Sequence, residues 1–272
     1  STGTINVGDN SIGIYNLNGN VINSGTITTG NEGTGIYSDG GTITLNAGSS
    51  ITIGQNNAVG VYAVNQTGVV INNSSISVGD SSLGFVFSGG TTPTFTNNQS
   101  ATIGNGSIFT FSDSVLTATN SGTITMTGSD NIGYFLKNGG SFVNNADIIG
   151  NTGVSNIGVY AKRAAITNNA DIILGDSNLV EHTDTNVTNN ASKIIQVGKD
   201  GIGVYIAGAG NVAENYGIIN GVGDNAKGIF ATDNSIVRNY GTINMTGDNV
   251  MGIAGQNGAQ IYNDANGVIN VT

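Results

Sequence analysis

GTITTGNEGTGIYSDGGTITLN, residues Gly25 to Asn46, is one full copy of a phrase that recurs along the whole chain. Copies such as GTINVGDNSIGIYNLNGNVINS from Gly3, SGTITMTGSDNIGYFLKNGGSFVNNA from Ser121 and NYGIINGVGDNAKGIFATDNSIVRNY from Asn215 keep its order of three short apolar clusters between Gly and Asn bends. The isoleucine of the GTI phrase serves as a marker at Ile5, Ile27, Ile51, Ile76, Ile103, Ile124, Ile148, Ile172, Ile195, Ile219, Ile243 and Ile269, with a mean spacing of 24 residues and steps between 21 and 27. Self-similarity at this period is the signature of a solenoid. In the first cluster Ile5 and Val7, or Ile51 and Ile53, alternate as in a half-buried strand. The second pairs Ile12 with Ile14, Val59 with Val61, Leu83 with Phe85, Ile157 with Val159 and Ile202 with Val204, read as inward-pointing. The third is short and ends in asparagine, as in Val21-Ile22-Asn23.

Composition points the same way. The 272 residues include 44 glycines, one proline and only 9% charged residues, where ordinary domains carry about a quarter. Gly and Asn are poor helix formers, so a helical solenoid would carry a penalty of roughly 1 kcal/mol at every repeated glycine. Ile, Val and Thr suit strands, and their regular supply argues against low-complexity disorder. The expected fold is therefore all-β: a right-handed parallel β-helix of eleven to twelve turns of roughly 24 residues, with three short strands per turn. At about 4.8 Å per turn the rod is roughly 50 Å long. The whole of 1–272 reads as a single β-helix domain, an uncapped segment of a longer protein, since the chain starts and stops in mid-pattern.

The net charge of −10, with no Lys or Arg before Lys137, makes nucleic acid and anionic lipid poor partners. No cysteine is present, which excludes thiolate catalysis and disulfides and fits an exported bacterial protein. No apolar run reaches the length of a membrane helix, so no direct membrane insertion is expected.

Four sets of side chains are candidates for something beyond scaffold. An asparagine column, Asn23, Asn46, Asn73, Asn98, Asn120, Asn145, Asn169, Asn190, Asn215, Asn239 and Asn263, is expected to sit at the corner after the third strand, where the left-handed region tolerates Asn, and to form a stacked amide ladder. Aromatics after the second cluster, Tyr15, Tyr37, Tyr62, Tyr160, Tyr205 and Phe230, with Phe109 and Phe135, are expected to point outward as a strip that either shields the sheet or recognises sugar or protein. Asp9, Asp80, Asp130, Asp176, Asp224 and Asp248 recur in a Gly-Asp-Asn corner; they read as turn formers, with weak calcium binding as the alternative. The single histidine, His182, is placed at a surface corner, with a base or ligand role as the alternative. The insertion Gly89-Gly90-Thr91-Thr92-Pro93, in the longest step, is expected to protrude as a loop. No catalytic residue, metal ligand or cofactor is expected.

The phrase NxGTIxxGxxxxGIY at Asn23 to Tyr37, with looser copies at Asn120 to Tyr134, Asn145 to Tyr160 and Asn239 to Ile253, resembles the passenger regions of bacterial type V autotransporters, most of all the large fusobacterial outer-membrane adhesins. The resemblance covers the whole chain and rests on scaffold residues. It implies a passenger exposed at the bacterial cell surface and held in the outer membrane. Its partner would be a host cell-surface receptor or glycan, or a surface protein of another bacterium. Two alternatives stay open: the receptor-binding segment of an autotransported toxin, and a β-helical enzyme acting on polysaccharide. For the enzyme, Lys162 and Arg163 with Asp147 and Asp171 are the place to look.

Overall fold

The computed structural model describes residues 2–90 and 92–272. It is an all-β right-handed parallel solenoid with no helix among those residues. Turn one begins with the strand Thr4–Val7, continues through Ile12–Leu17 and closes with Val21–Asn23. Turn two repeats this as Thr26–Thr29, Thr34–Asp39 and Ile43–Leu45. Each strand pairs in parallel only with its counterparts one turn before and after, which builds three sheets of twelve, eleven and eleven strands. Eleven complete turns result, and Val268–Val271 adds a twelfth strand to the first sheet. The ladders satisfy the backbone of every strand without local hydrogen bonds, so the chain needs no helix former.

Inside the first sheet the marker column is almost entirely buried isoleucine: Ile27, Ile124, Ile148, Ile172, Ile195, Ile219 and Ile243 expose nothing. Each contributes about 1.5–3 kcal/mol through burial. One marker is displaced. Ile76 pairs with Ala101, and Ile103 pairs with Val78 two residues further on. With Ala101 in the column the steps run from 22 to 26 residues, and the step after Ile76 is no longer than the one before it. The small Ala101 stands where the core fills with rings. Phe85 lies 4.7 Å from Phe95, Phe109 lies 5.5 Å from Tyr134, and Tyr134 lies 4.4 Å from Phe142, all of them buried. The expected protruding loop at 89–93 falls partly on Thr91, outside the described residues.

The second sheet breaks the expected alternation. In Thr34–Asp39 both Gly35 and Ile36 are buried, while Thr34 and Tyr37 face outward. Glycine is required because a Cβ at Gly35 would lie 2.7 Å from the carbonyl oxygen of Gly60 in the next turn. Two successive inward residues reverse the phase, so Ile12, Val59, Leu83, Ile157 and Ile202, expected inside, lie on the outer side, and only Ile14 and its equivalents enter the core.

At the third corner the asparagines separate into two columns. Asn23, Asn120, Asn215, Asn239 and Asn263 belong to the inner one, whose other members are Asn72, Asn97, Asn144, Asn168 and Asn189, with Leu45 in turn two. From Asn72 to Asn263 each Nδ2 donates to the Oδ1 of the next turn at 2.7–3.0 Å. Asn46, Asn73, Asn98, Asn145, Asn169 and Asn190 follow one residue later and face outward, where Asn98 donates to Asn73 at 2.9 Å and Asn169 to Asn145 at 2.8 Å. A one-residue slip along a strand exchanges inside for outside, and the Asn-Asn pairs invite that slip. The left-handed residues cluster elsewhere. Asn10, Glu32, Ser81, Asp130, Ser177 and Asn225 adopt it between the first and second strands, whereas Gly48 and Ser192 represent the third corner. There the inner asparagines turn the chain by side-chain bonds, as when Asn23 Nδ2 donates to the Gly25 carbonyl at 3.0 Å.

Candidate binding face

The outer face of the second sheet carries the aromatic strip. Its register runs Tyr15, Tyr37, Tyr62, Val86, Phe111, Phe135, Tyr160, His182, Tyr205, Phe230 and Ala254. All six of the aromatics singled out for recognition, and Phe135, lie in it. Phe109 does not: it is fully buried among the core rings, and Phe111 takes the outer place. Turn five has aromatics at both positions, and the glycine that marks the inward residue in nine of the eleven turns is missing there.

Val86 divides the strip in two. In the first part Tyr15 and Tyr37 stack at 5.1 Å and 8°, and Tyr62 meets Tyr37 edge-on at 5.7 Å. Burial, Asp39 and the flanking tyrosines hold the Tyr37 hydroxyl above its ordinary pKa, so it stays protonated and able to donate. The second part is continuous over six turns. Phe111 and Phe135 meet at 5.4 Å, Phe135 and Tyr160 at 4.7 Å, Tyr160 and His182 at 4.4 Å, His182 and Tyr205 at 4.5 Å, and Tyr205 and Phe230 at 5.4 Å. His182 therefore occupies no corner. It lies within the strand Leu179–Thr183, sandwiched between two tyrosines at 15° and 3°. Burial lowers its pKa, against a smaller opposing pull from Asp184, which keeps the imidazole neutral near pH 7.

A second aromatic group escaped the sequence reading. Tyr216 and Tyr240 stack at 4.7 Å and 5° on the corner after the third sheet, and the Arg238 guanidinium lies 5.3 Å above the ring of Tyr262. The signal for Tyr216 and Tyr240 was the replacement of the second Asn of the corner by Tyr in NYG.

The aspartate column is structural where its bonds are seen. Asp9, Asp80, Asp176 and Asp224 each accept the backbone N–H of the following turn through Oδ1, at 2.8–2.9 Å. Asp130 falls one residue later, at the left-handed position. Among the described residues no group of three acidic or histidine side chains is placed to hold a metal ion. The four residues of the enzyme alternative are not brought together. Asp147 and Asp171 immediately precede first-sheet strands, where Asp171 Oδ1 accepts the Ile194 N–H at 3.0 Å. Lys162 and Arg163 lie at the corner between the second and third sheets, and the carboxylate that meets Arg163 there is Asp184, accepting its backbone N–H.

Residues 29–267 match a family model described as the BigA third pectate lyase-like domain. No curated protein matches the chain. No solved structure matches it either.

Proposed function

The chain belongs to the family of the BigA third pectate lyase-like domain, and from that membership and the outer face of its second sheet we propose that it is an adhesive rod displayed on a bacterial surface. It attaches the cell to host cells or to other bacteria, as one β-helix domain within a longer exported passenger. The observation that carries this reading is the six-turn run of half-exposed rings from Phe111 to Phe230, because a rigid aromatic face offers contact area at little cost in conformational entropy. The test is binding of beads coated with the purified chain to epithelial cells, to bacteria and to a glycan array. Replacing Phe135, Tyr160 and Tyr205 together by Ala is expected to lower binding about tenfold. Binding unchanged by the triple variant would move recognition to the corners.

The family description supports a second reading, cleavage of polysaccharide. Release of unsaturated or reducing ends from polyuronates, glycosaminoglycans or glucans by the purified chain would establish it. Loss of that release in Lys162→Ala would assign it to the one corner with adjacent cations.

A further inference from the structure

Only seven Lys and Arg residues occur in the chain, and three of them, Lys137, Lys162 and Arg163, meet at one corner. The Lys162 N–H donates to the Leu136 carbonyl at 2.7 Å, so Lys137 and Lys162 stand in register, about 4.8 Å apart along the rod. All three side chains are exposed, and among the described residues no ion pair engages their charges. The aspartates before and after them in the column turn to other groups: Asp113 Oδ2 accepts from Ser88 Oγ at 3.3 Å with its Oδ1 buried and unpartnered, and Asp184 Oδ1 accepts the backbone N–H of Arg163. Beside these cations run the rings of Phe135, Tyr160 and His182. Beyond the rings the outward aliphatic row opens on a hollow of about 290 Å³, walled by Ile157, Leu179 and Ile202 with Asn156, Asn178 and Asp200. One face thus presents an apolar hollow, an aromatic strip and a cationic edge in that order.

We propose that this face, over turns six to nine, docks an extended protein segment bearing an aliphatic side chain at one end and carboxylates at the other. The proposal deepens the adhesive reading and rests on it. Its width decides the class of ligand. Ile157 to Lys162 spans five residues of extended chain, about 17 Å. Five or six residues of peptide cross that distance and carry an aliphatic group to fill the hollow, whereas a saccharide brings hydroxyls to it. Charge complementarity fixes the polarity, since three unpaired cations in a chain of net charge −10 attract carboxylates only at short range.

The test is a random decapeptide array probed with the labelled chain. Retained peptides are expected to carry Leu, Ile or Val and, about five positions away, Asp or Glu. Signal on them should fall about tenfold in Lys137→Glu with Lys162→Glu, and also in Leu179→Asp, with circular dichroism unchanged. Retention of basic or uncharged peptides overturns the proposal, as does a signal that neither variant moves. Binding of a polyuronate that needs the lysines but not Leu179 overturns it in favour of an anionic glycan. Wild-type chain that binds cells yet retains no peptide sinks this proposal alone; chain that binds neither sinks the adhesive reading as well.

Discussion

In nine of the eleven complete turns the second sheet sends inward a glycine and then a bulkier residue, but turn five carries Phe109-Thr110 at this place and turn eight carries Val180-Glu181. Both substitutions put bulk where a Cβ normally meets the next carbonyl and a polar group where the core expects Ile or Val. In turn five the bulk is absorbed by rings, while the Thr110 hydroxyl is buried without a hydrogen-bond partner. The Phe109 ring joins Phe85, Phe95 and Tyr134, and the Tyr134 hydroxyl donates to Asn120 Oδ1 at 3.1 Å, tying the aromatic core to the amide ladder. In turn eight the buried polar group is an ionisable carboxyl. Glu181 is fully buried between Val159 and Val204, and neither carboxyl oxygen has a hydrogen-bond partner. Both turns therefore bury an unsatisfied polar group, and what separates them is its chemistry: a neutral hydroxyl costs one missing hydrogen bond, whereas a carboxyl must also give up its charge.

The largest expected effect comes from Glu181. Burial pushes its pKa up from 4.5 to about 8. The folded state therefore keeps the proton over a range in which the unfolded chain has released it. Stability contributed by this group is intact below pH 4.5, declines as pH rises towards 8 and levels off above, a loss of roughly 5 kcal/mol in all. Urea denaturation at a series of pH values should show this fall in the wild type and a nearly flat profile in Glu181→Val. A slope that survives the substitution would place its origin elsewhere.

Turn five answers to a different kind of lesion. Phe109→Ala empties the centre of the aromatic cluster and should destabilise by about 3–5 kcal/mol at every pH, with no change in slope. Restoring the repeat in turn eight by Val180→Gly with Glu181→Val should stabilise by about 2 kcal/mol at neutral pH, since an unsatisfied buried polar group is removed. If the restored turn were less stable than the wild type, Val180 would be the residue that makes turn eight fit.

These two turns also mark where the sequence was hard to read. Fold, period and strand number per turn were legible because Gly, Ile and Asn recur in phase. The phase of single columns was not. Ala101 replaces the marker next to the rings, so Ile103 drew the register two residues out of step. Phe109 and Phe111 are both aromatic, and with the glycine gone nothing local says which one faces inward. Consecutive asparagines gave either column with equal ease, and Ile12 looked like a core residue because the two inward positions that follow it break alternation. Lys162 and Arg163 were visible as neighbours, but Lys137 beside them and the hollow were out of reach, since they depend on which residues of successive turns share a face. His182 was misplaced for the same reason: it stands where a tyrosine stands in the turn before and the turn after, and only the register shows the substitution.

The smallest effect concerns that histidine, and its sign opposes that of its neighbour. Its pKa is lowered by burial, so its contribution to stability is full above the ordinary histidine pKa and declines as pH falls and the unfolded chain takes up a proton that the folded chain refuses. Glu181 and His182 thus place opposite demands on one strand, one favouring acid and the other base. Being half-exposed on the outer face, His182 carries the weaker demand, screened by water. His182→Tyr would make three consecutive tyrosines, keep a stacking contribution of about 0.5–1.5 kcal/mol, and remove the acid limb of the stability profile without touching the alkaline one. Measured in the Glu181→Val background, where the larger slope is gone, the residual decline on the acid side should vanish. If it persists, the strip is not its source, and the contrast between turns five and eight reduces to the buried carboxyl alone.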